Sequence, residues 1–362
     1  MRSLTQLDSH VMEIPELLEQ LITTPGPSGQ ERTVAAVWRE AAAAVGDVSS
    51  DVLGSSWVRV PGAAGAPSVA IVGHIDEIGL VITHLGDDGF AAVRPIGGFD
   101  PHVFLGQRVT VLTRDGMIPG VVHSRQQRLK RITDRKPMEY EDLVLDVGVK
   151  DGDELRELVR PGDAAVWQGA PLRLRGNRVA SRSMDNRIGC YVALETARRV
   201  AAQGGAPGDV IAVAAVQEEV GDFAGSRTSA FATEPDIAVS VDVTHATDVR
   251  GGDHENEGKV VLGGGPTIQR GPLLHPVLFD LMYGAAEKAE IPVQVEVSRG
   301  HTNTDADAVY VSRQGIATTL VSVPLRYMHS PIETVDLEDI EQTVQLLVAF
   351  ASGLEPGLSL AS

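Results

Sequence analysis

Short apolar runs separated by turn residues and helical spacings dominate the chain. SVAIVG (68–73), DVIAVAAV (209–216), IAVSVDV (237–243) and ATTLVSV (317–323) lack polar alternation, the pattern of strands buried on both faces. Helical spacing fills 187–203, 275–290, 305–313 and 336–352. Near the start, Leu17, Leu18 and Leu21 recur at helical spacing until the Thr24-Pro25-Gly26-Pro27 turn stops them. The S-x-x-E spacing of Ser28 and Glu31 then predicts a capping box opening a second helix through the alanine-rich 33–45 stretch. Doubly apolar strands separated by helices predict an α/β fold with a mixed, mainly parallel sheet flanked by helices.

The stretch 77–167 has another texture. GLVITHL, GFAAVRPI and QRVTVLT alternate, broken by Gly-Asp, Gly-Gly and Asp-Gly turns, which predicts a small β-rich domain. Strands of the α/β type occur on both sides of it. The expected organisation is therefore a discontinuous larger domain, 1–76 and 168–362, with 77–167 inserted. Within the insertion, Arg125, Arg128, Lys130, Arg131, Arg135 and Lys136 make a basic loop over 123–136, read as a solvated loop, a subunit contact or a substrate contact.

Composition narrows the function. The 362 residues carry 31 basic and 49 acidic side chains, a formal net charge of −18, with 43% hydrophobic residues. That apolar content excludes disorder over the whole chain and is enough for about two domains. A field this negative repels phosphate backbones and anionic lipid, so nucleic-acid and membrane binding are not expected and small or peptide substrates are. The single cysteine, Cys190, can form neither an intrachain disulfide nor a four-cysteine zinc site. Together with the lack of a secretory pattern or of ~20 consecutive apolar residues, it points to the cytoplasm.

Several polar residues stand where strands end, and in open α/β sheets ligands bind beyond the carboxyl ends of the strands. His74 and Asp76 follow the first run as G-H-I-D. Glu218 and Glu219 follow the second, Asp242 ends the third, and His329 comes shortly after the fourth in R-Y-M-H-S-P. Asp185 begins a helix, where the dipole favours a carboxylate. Singly, each reads as a cap, a solvated helix start or a structural histidine. Together, two imidazoles and several carboxylates without cysteine form a ligand set for borderline or hard divalent cations. A two-metal site needs one bridging carboxylate and, on each ion, one imidazole and one terminal carboxylate around a shared water. His74, Asp185, Glu219, Asp242 and His329 fill those five places. Asp76 is placed to steer the His74 ring, and Glu218 to move a proton.

GHIDEIGL, SRSMDNRIGC, VQEEVG, VDVTHATD, GGGPTIQRGP, NTDADAVYVSRQG and RYMHSPIETVD resemble, in this order and over nearly the whole chain, the M42 family of metallo-aminopeptidases, which includes tetrahedral (TET), glutamyl and deblocking aminopeptidases. The resemblance implies a zinc-peptidase-like fold and a di-metal aminopeptidase with Zn²⁺ or Co²⁺. His74 and Asp242 would be terminal ligands of one ion, Glu219 and His329 of the other, with Asp185 bridging, Glu218 the general base and Asp76 orienting His74. It also implies a cis peptide between Asp185 and Asn186, and a dimerisation role for 77–167 within a hollow dodecamer. By the same analogy Gly263-Gly264-Gly265-Pro266 and Arg270 lie near the substrate, Arg270 pairing either with an acidic substrate group or in a structural salt bridge.

Three stretches depart from the family pattern. Ser183 and Met184 replace an alanine-leucine pair next to the bridging aspartate, and the basic loop replaces a shorter proline-histidine stretch. His301-Thr302-Asn303-Thr304-Asp305-Ala306-Asp307-Ala308 adds a histidine and an aspartate to a glycine-rich loop, so His301 and Asp305 join the substrate-side candidates. Other functions leave residues idle or fail to separate by sequence. A carboxylate-pair glycosidase using Glu218 with Asp242 or Glu219 gives His74 and His329 no work. A metal-dependent deacylase or carboxypeptidase would use the same scaffold. A non-catalytic assembly protein would be expected to lack a ligand or the base.

Overall fold

The structure, a computed structural model, describes residues 11–63, 65–125 and 138–360. Helix α1 (Glu16–Thr23) buries Leu18, Leu21 and Ile22 and ends at Thr24, which the following Pro25 holds in extended backbone. Helix α2 (Arg32–Ala42) buries Val34, Ala35, Trp38 and Ala42. The expected capping box does not form. The Ser28 hydroxyl instead donates to Asp76 Oδ2 at 2.6 Å, Glu31 accepts from Gly29 N–H, and Glu31 itself stands at the N-cap position. A distant buried carboxylate outcompetes the local backbone for the serine.

Strands β1 (Val48–Ser50), β2 (Ser56–Val60) and β3 (Val69–His74) lead into the main sheet, and the chain then leaves it. Six strands, β4 (Gly79–Leu85), β5 (Ala91–Ile96), β6 (Arg108–Thr113), β7 (Gly116–Ser124), β8 (Leu143–Asp146) and, after the short helix α3 (Gly152–Leu158), β9 (Ala164–Trp167), close a barrel in the order β4-β5-β8-β7-β6-β9. The barrel has a core of its own, with Leu80, Ile82, Val93, Val109, Val111 and Leu145 fully buried and Phe104 stacked on Trp167 at 4.2 Å. Arg125 belongs to the described residues, while Arg128, Lys130, Arg131, Arg135 and Lys136 lie outside them.

The remaining elements complete the α/β body: β10 (Leu172–Arg173), β11 (Arg178–Ser181), α4 (Met184–Ala202), β12 (Val210–Ala215), α5 (Ala224–Thr233), β13 (Ile237–His245), α6 (His254–Glu257), β14 (Thr267–Arg270), α7 (Pro276–Lys288), β15 (Gln294–Val297), α8 (Ala306–Val309), β16 (Ala317–Leu325), β17 (Glu333–Asp336) and α9 (Leu337–Ser352). The main sheet runs β1-β2-β12-β3-β13-β16-β14-β15. Its centre, β12-β3-β13-β16, is parallel throughout. The helical spacing at 305–313 yields only the four residues of α8, because the chain turns directly after it: Ser312 N–H donates to Val309 O, Ile316 N–H to Tyr310 O, and Arg313 adopts left-handed backbone (φ +55°).

Helix α4 is buried over most of its length and crosses the sheet against β3 and β13. It approaches so closely because Gly73 and Gly189 meet backbone to backbone: a Cβ on Gly73 would lie 2.4 Å from the Gly189 carbonyl carbon. Its first turn is anchored by an ionic cluster. Glu77, 2% exposed, pairs with Arg182 and, at 3.0 Å, with Arg187 Nη2. The two guanidinium groups donate to the carbonyls of Leu21, Thr23, Thr24 and Gly26, so they cap the C-terminal end of α1. Glu77→Gln leaves two buried cations without a counter-charge and is expected to cost about 3–5 kcal/mol. A clearly lowered thermal midpoint would be measured, whereas Glu195→Gln, which breaks the more exposed pairs with Arg198 and Arg199 on the same helix, should cost less, about 1–2 kcal/mol at up to about 1 for each pair.

Candidate metal centre

Because β12, β3, β13 and β16 are parallel, their carboxyl ends emerge along one edge. His74 is the last residue of β3, Asp242 lies near the end of β13, and the loops after β12 and β16 carry Glu218, Glu219 and His329. Gln217 and His329 adopt left-handed backbone (φ +60° and +58°), which turns each loop sharply beside the site. Asp185 arrives from the other side, on the first turn of α4, and the bond from Asp185 to Asn186 is cis. Asn186 fastens this turn by donating to Val241 O at 2.7 Å and accepting from Gly189 N–H at 2.9 Å.

The side chains converge. Asp185 Oδ1 stands 3.2 Å from His74 Nε2 and its Oδ2 3.3 Å from His329 Nε2. His329 Nε2 is also 3.4 Å from Glu219 Oε2, and His74 Nε2 is 3.7 Å from Glu218 Oε2. Donor atoms of His74, Asp185 and Glu219 lie within 4.8 Å of one another, as do those of His74, Glu218 and Asp242. Glu219 Oε1 is buried without a hydrogen-bond partner among the described residues.

Asp76 lies beneath this group. Its Oδ1 is 3.4 Å from His74 Nδ1, a contact too poorly aligned to count as a hydrogen bond. Its stronger bonds run elsewhere: Oδ1 accepts Glu218 N–H and Oδ2 accepts Glu219 N–H, each at 3.1 Å. The carboxylate expected only to steer His74 thus also fixes the backbone that presents Glu218 and Glu219. A second buried carboxylate, Glu333, accepts the backbone N–H of Asp185 at 3.2 Å and of His329 at 3.0 Å. Sequence reasoning missed Glu333, whose one signal is its place four residues after His329, at the start of β17.

The electrostatics fit a cation pair. Burial and the neighbouring Asp185 charge push Glu219 well above the ordinary carboxyl range, and burial together with Asp185 does the same to Asp242. Burial, with Asp242, Asp305 and Asp76 nearby, pushes Glu218 up to about 10. Asp185 goes the other way: burial is outweighed by its contacts with His329 and His74, which hold it low. Burial would lower His74, but Glu218, Asp185 and Asp76 raise it well above the usual histidine value. So many carboxylates in one dry cluster call for added positive charge, and two imidazoles with carboxylate oxygens are donors that borderline divalent cations accept.

The cluster forms one wall of a cavity of about 690 Å³, which His301, Gln269 and Glu296 also line. His301 is exposed, its Nδ1 3.4 Å from Asp307 Oδ2. Asp305 is buried outside the lining, its carboxyl pushed up to about 6 by burial. Gly264 and Arg270 are also outside the lining. Gly264 sits in a loop held by Asp339, which accepts the N–H groups of Gly263 and Gly265 at 2.8 Å each. Arg270 lies over the Phe279 ring at 4.8 Å, since strand alternation gives the cavity-facing place to Gln269.

Comparison with known proteins finds relatives in sequence and fold over nearly the whole chain. A profile of the family described as M42 glutamyl aminopeptidase matches residues 54–346. The chain is 34% identical to a lysyl aminopeptidase of Pyrococcus furiosus, over 94% of this chain and 97% of that protein. Among solved structures, it is similar to an aminopeptidase of the archaeon Desulfurococcus kamchatkensis (36% identity, TM-score 0.86, 93% of this chain and 94% of that one). It is also similar to the TET peptidase of Pyrococcus horikoshii described as able to assemble into a tetrahedron or a large octahedral shell (30% identity, TM-score 0.82, 94% and 99%).

Proposed function

The chain belongs to the M42 family of glutamyl aminopeptidases, and on that premise we propose that it removes N-terminal residues from peptides with two divalent cations, Zn²⁺ or Co²⁺. The observation that carries this reading is the pair of contacts at Asp185, one oxygen 3.2 Å from His74 and the other 3.3 Å from His329, the disposition expected of a bridging carboxylate. His74 and Asp242 would hold one ion, and Glu219 and His329 the other. When bound, the cations supply Lewis acidity toward the scissile carbonyl and make the attacking water a stronger acid.

The chain's own residues do the rest. Glu218 takes the proton from that water as the new C–O bond forms and delivers it to the amine as the C–N bond breaks. Asp76 fixes Glu218 and Glu219 through their backbone N–H groups, and Glu333 does the same for Asp185 and His329. The products are a free amino acid and a peptide shortened by one residue.

We propose that copies of this chain pair through the barrel and build a dodecamer; the P. horikoshii relative, which assembles into a tetrahedron or a large octahedral shell, supports a homo-oligomer. A reducing, cytoplasmic setting accords with the lone buried Cys190, and among the described residues no helix is long and apolar enough to cross a membrane. A panel of matched peptides tests the activity. Peptides with a free N-terminus should be cut whether or not the C-terminus is amidated, and N-acetylated ones should survive. Cleavage that requires a free C-terminus would make the protein a carboxypeptidase, and release of acetate a deacylase.

A further inference from the structure

Resting on the aminopeptidase reading, we propose that the subsite beside the metal ligands selects a cationic N-terminal side chain, lysine or arginine, with Glu296 as the counter-charge. The cavity floor is one face of the strands β13, β16, β14 and β15. Asp242 is in register with Ser322, Ser322 with Thr267, and Gln269 with Glu296. Thr244 follows Asp242 by two residues on the same face, a step of ~6.6 Å along the strand. Glu296 reaches back over this floor. Its Oε1 accepts the Thr244 hydroxyl at 2.9 Å and its Oε2 the Thr267 hydroxyl at 3.3 Å. The carboxylate is thereby held about one lysine stem away from the ligand Asp242.

The cavity's other carboxylates have work already. Asp185, Glu219 and Asp242 are ligands, Glu218 is the base, and Asp307 accepts the N–H groups of Thr302 and Asn303 and the Thr302 hydroxyl. Glu296 has acceptor capacity left and no lysine or arginine within ion-pair distance among the described residues. A second, independent feature points the same way. Gln269, 7% exposed, lines the same cavity, and its buried Oε1 has no partner among the described residues. Two unused acceptors, one of them charged, match a side chain that carries only donors. The one arginine or lysine in the described lining, Arg227, is largely exposed and 3.7 Å from Asp222, so an acidic substrate side chain would meet Glu296 without compensation.

Lysyl and norleucyl anilides isolate this effect, because they have stems of the same length and differ in the terminal ammonium. With metal-loaded parent protein, kcat/KM is expected to favour lysyl over norleucyl about 10- to 100-fold, and Glu296→Gln to reduce that ratio at least tenfold. Parent protein that cleaves norleucyl as well as lysyl substrate, or a variant that keeps the parent ratio, overturns the assignment while leaving the aminopeptidase reading intact. Failure to cleave any free-amine substrate overturns both. Should Glu296→Gln not fold, product inhibition of the parent decides: lysine is expected to inhibit about tenfold more tightly than norleucine, and equal inhibition counts against the subsite.

Discussion

Glu218→Gln protein will bind two divalent ions per chain and cleave an aminoacyl anilide about 10²–10⁴ times more slowly than the parent, the contribution usual for a positioned general base. The substitution keeps shape and hydrogen-bonding reach but not the ability to accept a proton. Glu218 suits the role because it lines the cavity, reaches within 3.7 Å of His74 and is held from below by Asp76 through its own N–H. Its backbone position does not depend on its side chain, so the variant should retain the site's architecture. Metal analysis beside kcat separates the outcomes. A variant with full metal content and the parental rate would show that another group moves the proton.

Exhaustive chelation should abolish turnover, and added Zn²⁺ or Co²⁺ should restore it. Asp185→Asn is the counterpart within the chain. It removes the negative charge that faces both imidazoles, so bound metal should fall well below two ions per chain and activity at least 10³-fold. Elemental analysis and kcat on the same samples check both statements. Catalysis that persists in chelator-treated protein containing no ion would refute the di-metal reading altogether. The deletion also tests the electrostatic account, since Glu219 and Asp242 are each raised in part by the Asp185 charge.

Much of this architecture is readable along the chain, for physical reasons. Strands covered on both faces cannot alternate, so the runs ending at Gly73, Val216, Val243 and Val323 stand out. Parallel pairing then sends their carboxyl ends to one edge, which makes the residues after each run candidates for a shared site. What stayed hidden depends on tertiary contacts without a periodic signature. Ser28 reads as a helix cap but bonds to Asp76. Glu77 and Glu333 look like surface charges, yet each is buried among partners far away in sequence. The four residues of β14 are too few to set the phase of alternation, so family analogy alone put Arg270 near the substrate, whereas Gln269 is the residue that lines the cavity. Glu296, in the short stretch QVEV, reads as the wet side of an outer strand because only the Thr244 and Thr267 contacts reveal its inward direction.

The sheet order has an evolutionary corollary. His74 and Asp242 sit on strands clamped between neighbours on both flanks, whereas Glu296 rides on β15, the outermost strand, which pairs on a single flank. A backbone adjustment there disturbs one ladder and none of the ligands. If Glu296 selects the substrate, that choice can be altered at the margin of the sheet while the strands presenting His74 and Asp242 keep both neighbours.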